Sequence, residues 1–145
     1  MKGLTFAAAS AKKLIWIVPL IYIVATSTEG QRRQLQYEPE KVIITGRVVT
    51  RTFYGPPNYG ETPKIDGRER QYILVLDSAV DVIGSKSETL DEPERGVKEL
   101  TLIAMESLEP FLGKHVKVDG TLFHAVSAHH HTKVLIMVSS IKRAR

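Results

Sequence analysis

Five segments with the composition of β-strands follow one another along this chain, and their order constrains its fold more than any other feature. They are centred on residues 41–51, 72–76, 97–104, 116–122 and 134–138. Each is rich in β-branched residues or alternates apolar with polar side chains, and both patterns are typical of strands. The chain contains no cysteine, so apolar burial must hold the fold together without disulfide bonds.

The connection between the third and fourth segments has a helical pattern instead. Apolar residues at 108, 111 and 112 have helical spacing, Ser107 is a candidate N-cap and Gly113 is a natural stop. Gly46 and Gly120 stand where bulges would bend the strands. This order predicts a mainly β fold, a small five-stranded OB-like barrel with one short helix between strands 3 and 4. A sandwich fragment and an open α+β sheet are the alternatives.

The N-terminal residues have the layout of an export signal. Lys2, Lys12 and Lys13 precede an uncharged apolar run over 14–25, and small polar residues follow it. The run is shorter than the roughly 20 residues that a permanent transmembrane helix needs. We therefore expect a cleaved signal peptide over 1–27 and a secreted or periplasmic product. The alternative is a retained N-terminal membrane anchor.

The balance of charged residues argues against nucleic acid as a partner. The chain carries 20 Lys and Arg against 16 Asp and Glu, and without the three signal lysines 17 stand against 16, so the formal charge falls from +4 to +1. Binding to phosphates needs a concentrated basic surface rather than so small an excess. Residues 28–40 are polar and contain few apolar side chains, so we expect a flexible leader there and the OB-like domain over 41–145.

The connection between the first two strands has the composition of a preorganised binding loop. Residues 53–61 read FYGPPNYGE, in which prolines restrict the backbone, glycines permit close approach and aromatic rings offer flat contact surface. In the alternative interpretation, the loop only covers the core. The charges that alternate in sign between residues 66 and 70 are typical of a solvated surface. The candidate ligand-binding residues are Tyr54, Gly55, Pro56, Asn58, Tyr59 and Glu61, together with His130 from the second loop.

Four of the five histidines lie at or near the connection between the last two strands. If that loop is centred between residues 127 and 128, His124 faces His131 across the hairpin, and His129 shares their face. Three imidazoles on one patch could bind zinc or another divalent transition metal, so His124, His129 and His131 are the candidate metal ligands. A slip of one residue would send His129 and His131 to the opposite face. The alternative is a polar hairpin tip that holds no metal.

No complete catalytic signature accompanies these loops. The chain has no cysteine nucleophile, Ser139 and Ser140 lack the context of a nucleophile elbow, and no glycine-rich phosphate loop opens a helix. The catalytic residues therefore stay unknown, and binding is favoured over catalysis.

Residues 53–61, 72–77, 120–124 and 129–132 together resemble an uncharacterised family of small exported bacterial domains, the DUF4431-like domains of unknown function. The likeness runs from Val42 to Ile141. It implies export and the extent of the domain, and it assigns no reaction. It marks as positions to test Gly55, Pro56, Asn58, Tyr59, Glu61, His124, His129, His130 and His131.

These observations predict an exported small binding domain that uses the aromatic loop and the histidine loop as one rim. Its partner would be an exported protein, a saccharide or a small ligand, and its contact with the membrane would be limited to the export signal. The alternatives are a zinc-type enzyme with a histidine site and an envelope interaction or stress protein without a small-molecule site.

Overall fold

The computed structural model describes residues 31–84 and 92–144. The predicted signal peptide over 1–27 and the alternative membrane anchor lie outside the described residues. Within those ranges, no helix is long and apolar enough to cross a membrane. The elements, in chain order, are β1 (Arg33–Gln36), β2 (Lys41–Tyr54), β3 (Arg68–Ile83), β4 (Glu94–Ile103), a 3₁₀ turn (Glu109–Phe111), β5 (His115–His124) and β6 (Val134–Arg143).

The fold is mainly β, with six strands in one sheet in the order β1-β3-β2-β5-β6-β4. Strand β3 also pairs with β4, so β3 has three strand neighbours, and β2, β4, β5 and β6 have two each. The pairs β1–β3 and β4–β6 are parallel, and the other pairs are antiparallel. The five strands predicted from the sequence are all present, and the predicted short helix is a single 3₁₀ turn between β4 and β5.

The sixth strand, β1, corrects the prediction of a flexible leader over 28–40. Residues 33–36 pair in parallel with residues 80–83 at the end of β3. Leu35 is only 6% exposed and Tyr37 is fully buried, so both side chains belong to the core. This strand could not be predicted from the sequence because it is short and because the segment contains only two large apolar side chains among many polar ones.

The core lies on the inner face of the sheet, where alternate side chains of each strand meet. In β2, Val42, Ile44 and Val48 are buried together with Gly46, and the residues that alternate with these four are more exposed. Leu100 of β4 and Leu122 of β5 are fully buried in the same cluster. The two-residue repeat of the strands therefore accounts for which side chains the domain buries.

Two glycines allow neighbouring strands to approach closely at bends. A Cβ atom at Gly46 would lie 2.3 Å from the carbonyl oxygen of Val75, and one at Gly120 would lie 2.2 Å from that of Met137. The bulge expected at Gly46 is not formed, because β2 keeps a continuous register with β5 from Lys41 to Arg47. Beside Gly120 the register does shift.

Candidate binding site

Asp66 organises the loop that connects β2 and β3. Its carboxylate accepts hydrogen bonds from the backbone N–H groups of Asn58, Gly60 and Thr62 at 2.8–3.0 Å, and from the Thr62 hydroxyl at 2.9 Å. Burial alone raises the pKa of Asp66, but the hydrogen bonds from Gly60, Thr62 and Asn58 outweigh it and hold the pKa below its usual value. Asp66 is only 8% exposed, so the prediction that it is a solvated surface charge was wrong.

Tyr59 carries the contact between the two predicted loops. Its hydroxyl lies 2.8 Å from Nε2 of His129, and the two rings meet edge to face with centroids 5.1 Å apart. The backbone of Tyr59 has φ +50°, a left-handed conformation that residues other than Gly and Asn rarely adopt. The bonds of Asp66 on either side of Tyr59 maintain this conformation.

The carboxylate of Glu69 contacts two of the histidines, His129 and His131. Its two carboxylate oxygens lie 2.5 Å from Nδ1 of His129 and 3.0 Å from Nε2 of His131. The His131 ring also stacks on Phe53, with centroids 4.3 Å apart and planes 8° from parallel. The hydrogen bond from His131 and the hydrogen bond and charge of His129 lower the pKa of Glu69, although partial burial opposes this shift. We call Phe53, Tyr59, Glu69, His129 and His131 the rim network.

The β5–β6 loop lies across the outer face of β3 and β4. Gln71 donates a hydrogen bond of 2.6 Å to the backbone carbonyl of His129, and the backbone N–H of Thr101 donates one of 3.0 Å to the Thr132 hydroxyl. Ile73 and Leu135 are fully buried on either side of Thr101, yet neither belongs to the inner core. The domain therefore buries apolar side chains outside the inner core as well.

The register of the hairpin differs from the expected one. His124 pairs with Val134 rather than with His131, and the backbone N–H of Ala125 bonds to the carbonyl of Lys133, so the loop is longer and centred on residue 129. His124 lies 3.5 Å from a carboxylate oxygen of Glu94 on β4. In the described ranges, no group of three or more His, Cys, Asp or Glu side chains is arranged to hold a metal ion. His124 therefore does not face His131 across the hairpin, and the assignment of His124, His129 and His131 as metal ligands stays a prediction.

The remaining residues predicted to bind a ligand fall into two groups. Gly55, Pro56 and Asn58 shape the loop: Gly55 is packed against Glu69, the Pro56 carbonyl accepts a bond from the Gly67 N–H, and the Asn58 amide donates to the Thr62 hydroxyl. The other group, Tyr54, Glu61 and His130, presents side-chain surface.

The side chains of Tyr54, Glu61 and His130 differ in their contacts and exposure. The Arg68 guanidinium lies 3.7 Å from the centre of the Tyr54 ring, a distance at which a cation and an aromatic face attract each other. Glu61 is exposed. His130 accepts a hydrogen bond from the Val126 N–H through Nδ1, and its ring meets that of Phe123 edge to face. The fifth histidine, His115, pairs with Asp77 on the surface.

A cleft of about 450 Å³ opens beside the rim network. Residues 94–99 of β4 form one wall, and residues 131–134 form the other. Glu94 lies in this cleft, 3.0 Å from Nζ of Lys133. Glu99 forms an ion pair with Arg51 of β2.

The residues that sequence reasoning missed are Asp66, Glu69 and Gln71. The sequence offered one usable signal: Glu69, Gln71 and Ile73 repeat every second residue, which places them on one face of β3. The alternation of charge between 66 and 70 obscured this repeat.

Residues 99–142, from the end of β4 through β6, match the model of a family described as a domain of unknown function (DUF4431). The matched segment contains the histidine loop, so the resemblance noted in the sequence is confirmed there, over a shorter stretch than Val42 to Ile141. No curated protein and no solved structure matches this chain.

Proposed function

We propose that this chain is an exported small binding domain built on a closed OB-type barrel. The pairings support the barrel, because β2, β4, β5 and β6 each have two strand neighbours, and β3 pairs with β2 and β4 as well as with β1. Five-stranded OB barrels also place a short helix between strands 3 and 4, as the 3₁₀ turn between β4 and β5 does here.

The observation that carries the proposal is the rim network beside an open cleft. OB-type barrels bind their ligands with the connections between strands 1 and 2 and between strands 4 and 5, which here are the β2–β3 and β5–β6 loops. The Tyr59–His129 hydrogen bond and the two bonds of Glu69 fasten these loops together before any ligand arrives. A loop that is already ordered loses less conformational entropy on binding.

In this proposal the histidines have divided roles. His131 has a side chain only 14% exposed between Phe53 and Glu69, so it positions the rim. His129 has a side chain 56% exposed and presents its ring edge to a ligand. Tyr54 supplies an aromatic face, and Glu61 and His130 supply polar groups. The partner is a saccharide, another exported protein or a small ligand.

The test is to map binding residue by residue. A ¹⁵N-labelled sample would be titrated with soluble cell-wall saccharide fragments, pools of short peptides and a small-molecule fragment library while amide chemical shifts are recorded. We expect the shifts to concentrate at residues 53–71, 94–99 and 124–133. Tyr54→Ala should weaken binding, whereas Lys142→Ala at the far end of β6 should not. Shifts confined to residues 104–111 and 138–141 would contradict the proposal.

Export has its own test. The full chain would be expressed in a bacterium with separable periplasm, and the mass of the intact product would be measured. We expect a periplasmic product that lacks about the first 27 residues. A cytoplasmic product that starts at Met1 would contradict export, and a membrane-bound product of full length would support the anchor instead.

A further inference from the structure

In the part of the chain that the structure describes, the wall of the cleft formed by β4 is an open strand edge. Strand β4 pairs with β6 only at Thr101, Leu102 and Ile103. In the described ranges, no strand pairs with residues 94–100 of β4 on the side away from β3. The two strands diverge at Thr132, whose hydroxyl receives the N–H of Thr101 in place of a backbone carbonyl.

This arrangement shows which peptide groups face the cleft. The N–H of Thr101 points toward the β5–β6 loop, because it donates to Thr132. Peptide groups along a strand alternate in direction with a period of two residues. The N–H and C=O groups of Glu99, and by the same repeat those of Val97, therefore point into the cleft. Such groups are the usual attachment points for an added strand.

The charges along this edge select among possible partners. Glu94 and Glu99 are already paired with Lys133 and Arg51. Arg95 and Lys98 line the same cleft, both are exposed, and within the described ranges neither has an ion-pair partner. The charge left over in the cleft is thus positive, which favours a partner that carries carboxylates.

A local irregularity limits how much of the edge a partner can use. Gly96 has φ +65°, and the register between β3 and β4 shifts on both sides of Val97, so the part of the edge that a partner can use is short. Charged side chains and a bulge are the features by which proteins protect an edge from indiscriminate pairing. An edge that is short, charged and flanked by a cleft is suited to one strand of suitable sequence.

We propose that the β4 edge binds an extended acidic peptide segment of a partner protein, which adds to the sheet as a strand between β4 and the 131–134 segment. The peptide exchanges backbone hydrogen bonds with Val97 and Glu99, and its carboxylates pair with Arg95 and Lys98. This inference rests on the proposed function, and it names the class of ligand that the cleft takes.

The experiment uses a phage-displayed library of random decapeptides selected against the purified chain at low ionic strength. The selected peptides would be synthesised and titrated against the wild type, against Arg95→Glu/Lys98→Glu and against the matched control Lys117→Glu/Lys142→Glu on paired strands away from the cleft. We expect acidic peptides whose affinity falls at least tenfold in the first variant and less than twofold in the control. Hydrogen exchange of the Val97 and Glu99 amides should slow at least tenfold when the peptide is bound.

Two results would overturn the inference. One is that no peptide is selected whose binding depends on Arg95 and Lys98. The other is that selected peptides protect amides elsewhere and leave those of Val97 and Glu99 unchanged, which excludes strand addition even if the variant fails to fold. If saccharide fragments still shift the rim network in either case, the proposed binding function stands and only the peptide assignment fails.

Discussion

The hydroxyl group of Tyr59 lies 2.8 Å from Nε2 of His129, so one side-chain hydrogen bond joins the β2–β3 loop to the β5–β6 loop. On its other side, the same imidazole meets the Glu69 carboxylate. The two loops thus share one chain of hydrogen bonds that ends in the sheet. Because each member orients the next, removal of a single group should affect both loops.

Glu69 is the member on which the network depends most. Glu69→Gln keeps the shape of the side chain but removes the charge that attracts both imidazoles, and we expect a loss of about 1–3 kcal/mol in the free energy of unfolding. Denaturant titration would measure it. Glu61→Gln, at an exposed carboxylate in the same loop, is the matched control and should change stability little. Equal stability of the two variants would show that the network does not hold the loops.

Replacement of Tyr59 by Phe should separate the hydrogen bond from the ring. The phenyl ring keeps the edge-to-face contact with His129, whereas the 2.8 Å bond is lost. We expect a cost of about 0.5–1.5 kcal/mol and a change in the ¹⁵N shifts of the His129 ring. Unchanged His129 shifts would indicate that the bond is not present in solution.

The two depressed carboxyl pKa values predict sensitivity to acid. Asp66 and Glu69 both have a folded pKa below the usual value, so each contributes stability that is present at neutral pH and is lost as the pH falls through the folded pKa. The thermal midpoint should therefore drop as the pH is lowered below about 4. Asp66→Asn should flatten this drop, and Glu61→Gln should not. Parallel curves for all three proteins would contradict the prediction.

A methyl group at Gly46 should be poorly tolerated. The Cβ atom of Gly46→Ala would lie 2.3 Å from the carbonyl oxygen of Val75, which belongs to a paired strand and cannot move by itself. We expect a loss of about 1–3 kcal/mol by overpacking, measured as a lower thermal midpoint. In Gly67→Ala, the new atom would approach the Pro56 carbonyl only to 3.3 Å, and a smaller loss is expected. The reverse order would show that β2 and β3 are not so close at Gly46.

Strand β1 should contribute to the stability of the domain. Leu35→Ala empties a site that is 6% exposed and should cost about 2–5 kcal/mol. Gln34→Ala, at an exposed position of the same strand, is the control. If both variants unfolded at the same denaturant concentration, residues 33–36 would be a leader after all.

The strands could be predicted from the sequence because their signal is local. Val42, Ile44 and Val48 recur at even spacing, with the polar residues Thr45 and Arg47 between the last two, and burial on one face of a sheet requires such a two-residue repeat. β1 lacked the signal because a four-residue strand at the side of a sheet needs only one or two buried side chains. Its place is set by residues 80–83, which lie far along the chain.

The candidate binding site, like the fold, could be predicted only in part from the sequence. The two unusual loops were identified from composition, and they do meet. Their internal contacts were not predictable, because the hairpin register fixes which histidines share a face, and an error of a few residues exchanged the partners of His124. The roles of Asp66 and Glu69 follow from distances across the fold, whereas their sequence neighbours suggested only a charged surface.

The sequence by itself determined the order of the strands from β2 to β6, because backbone propensity and the two-residue burial repeat act over a few neighbouring residues. Only the tertiary structure decided that Glu69 joins two imidazoles and that, among residues 31–84 and 92–144, no strand pairs with the edge of β4 beside them. The hydrogen bonds that make these contacts join residues 31–62 positions apart, and their energy depends on a geometry that exists only once the sheet has formed.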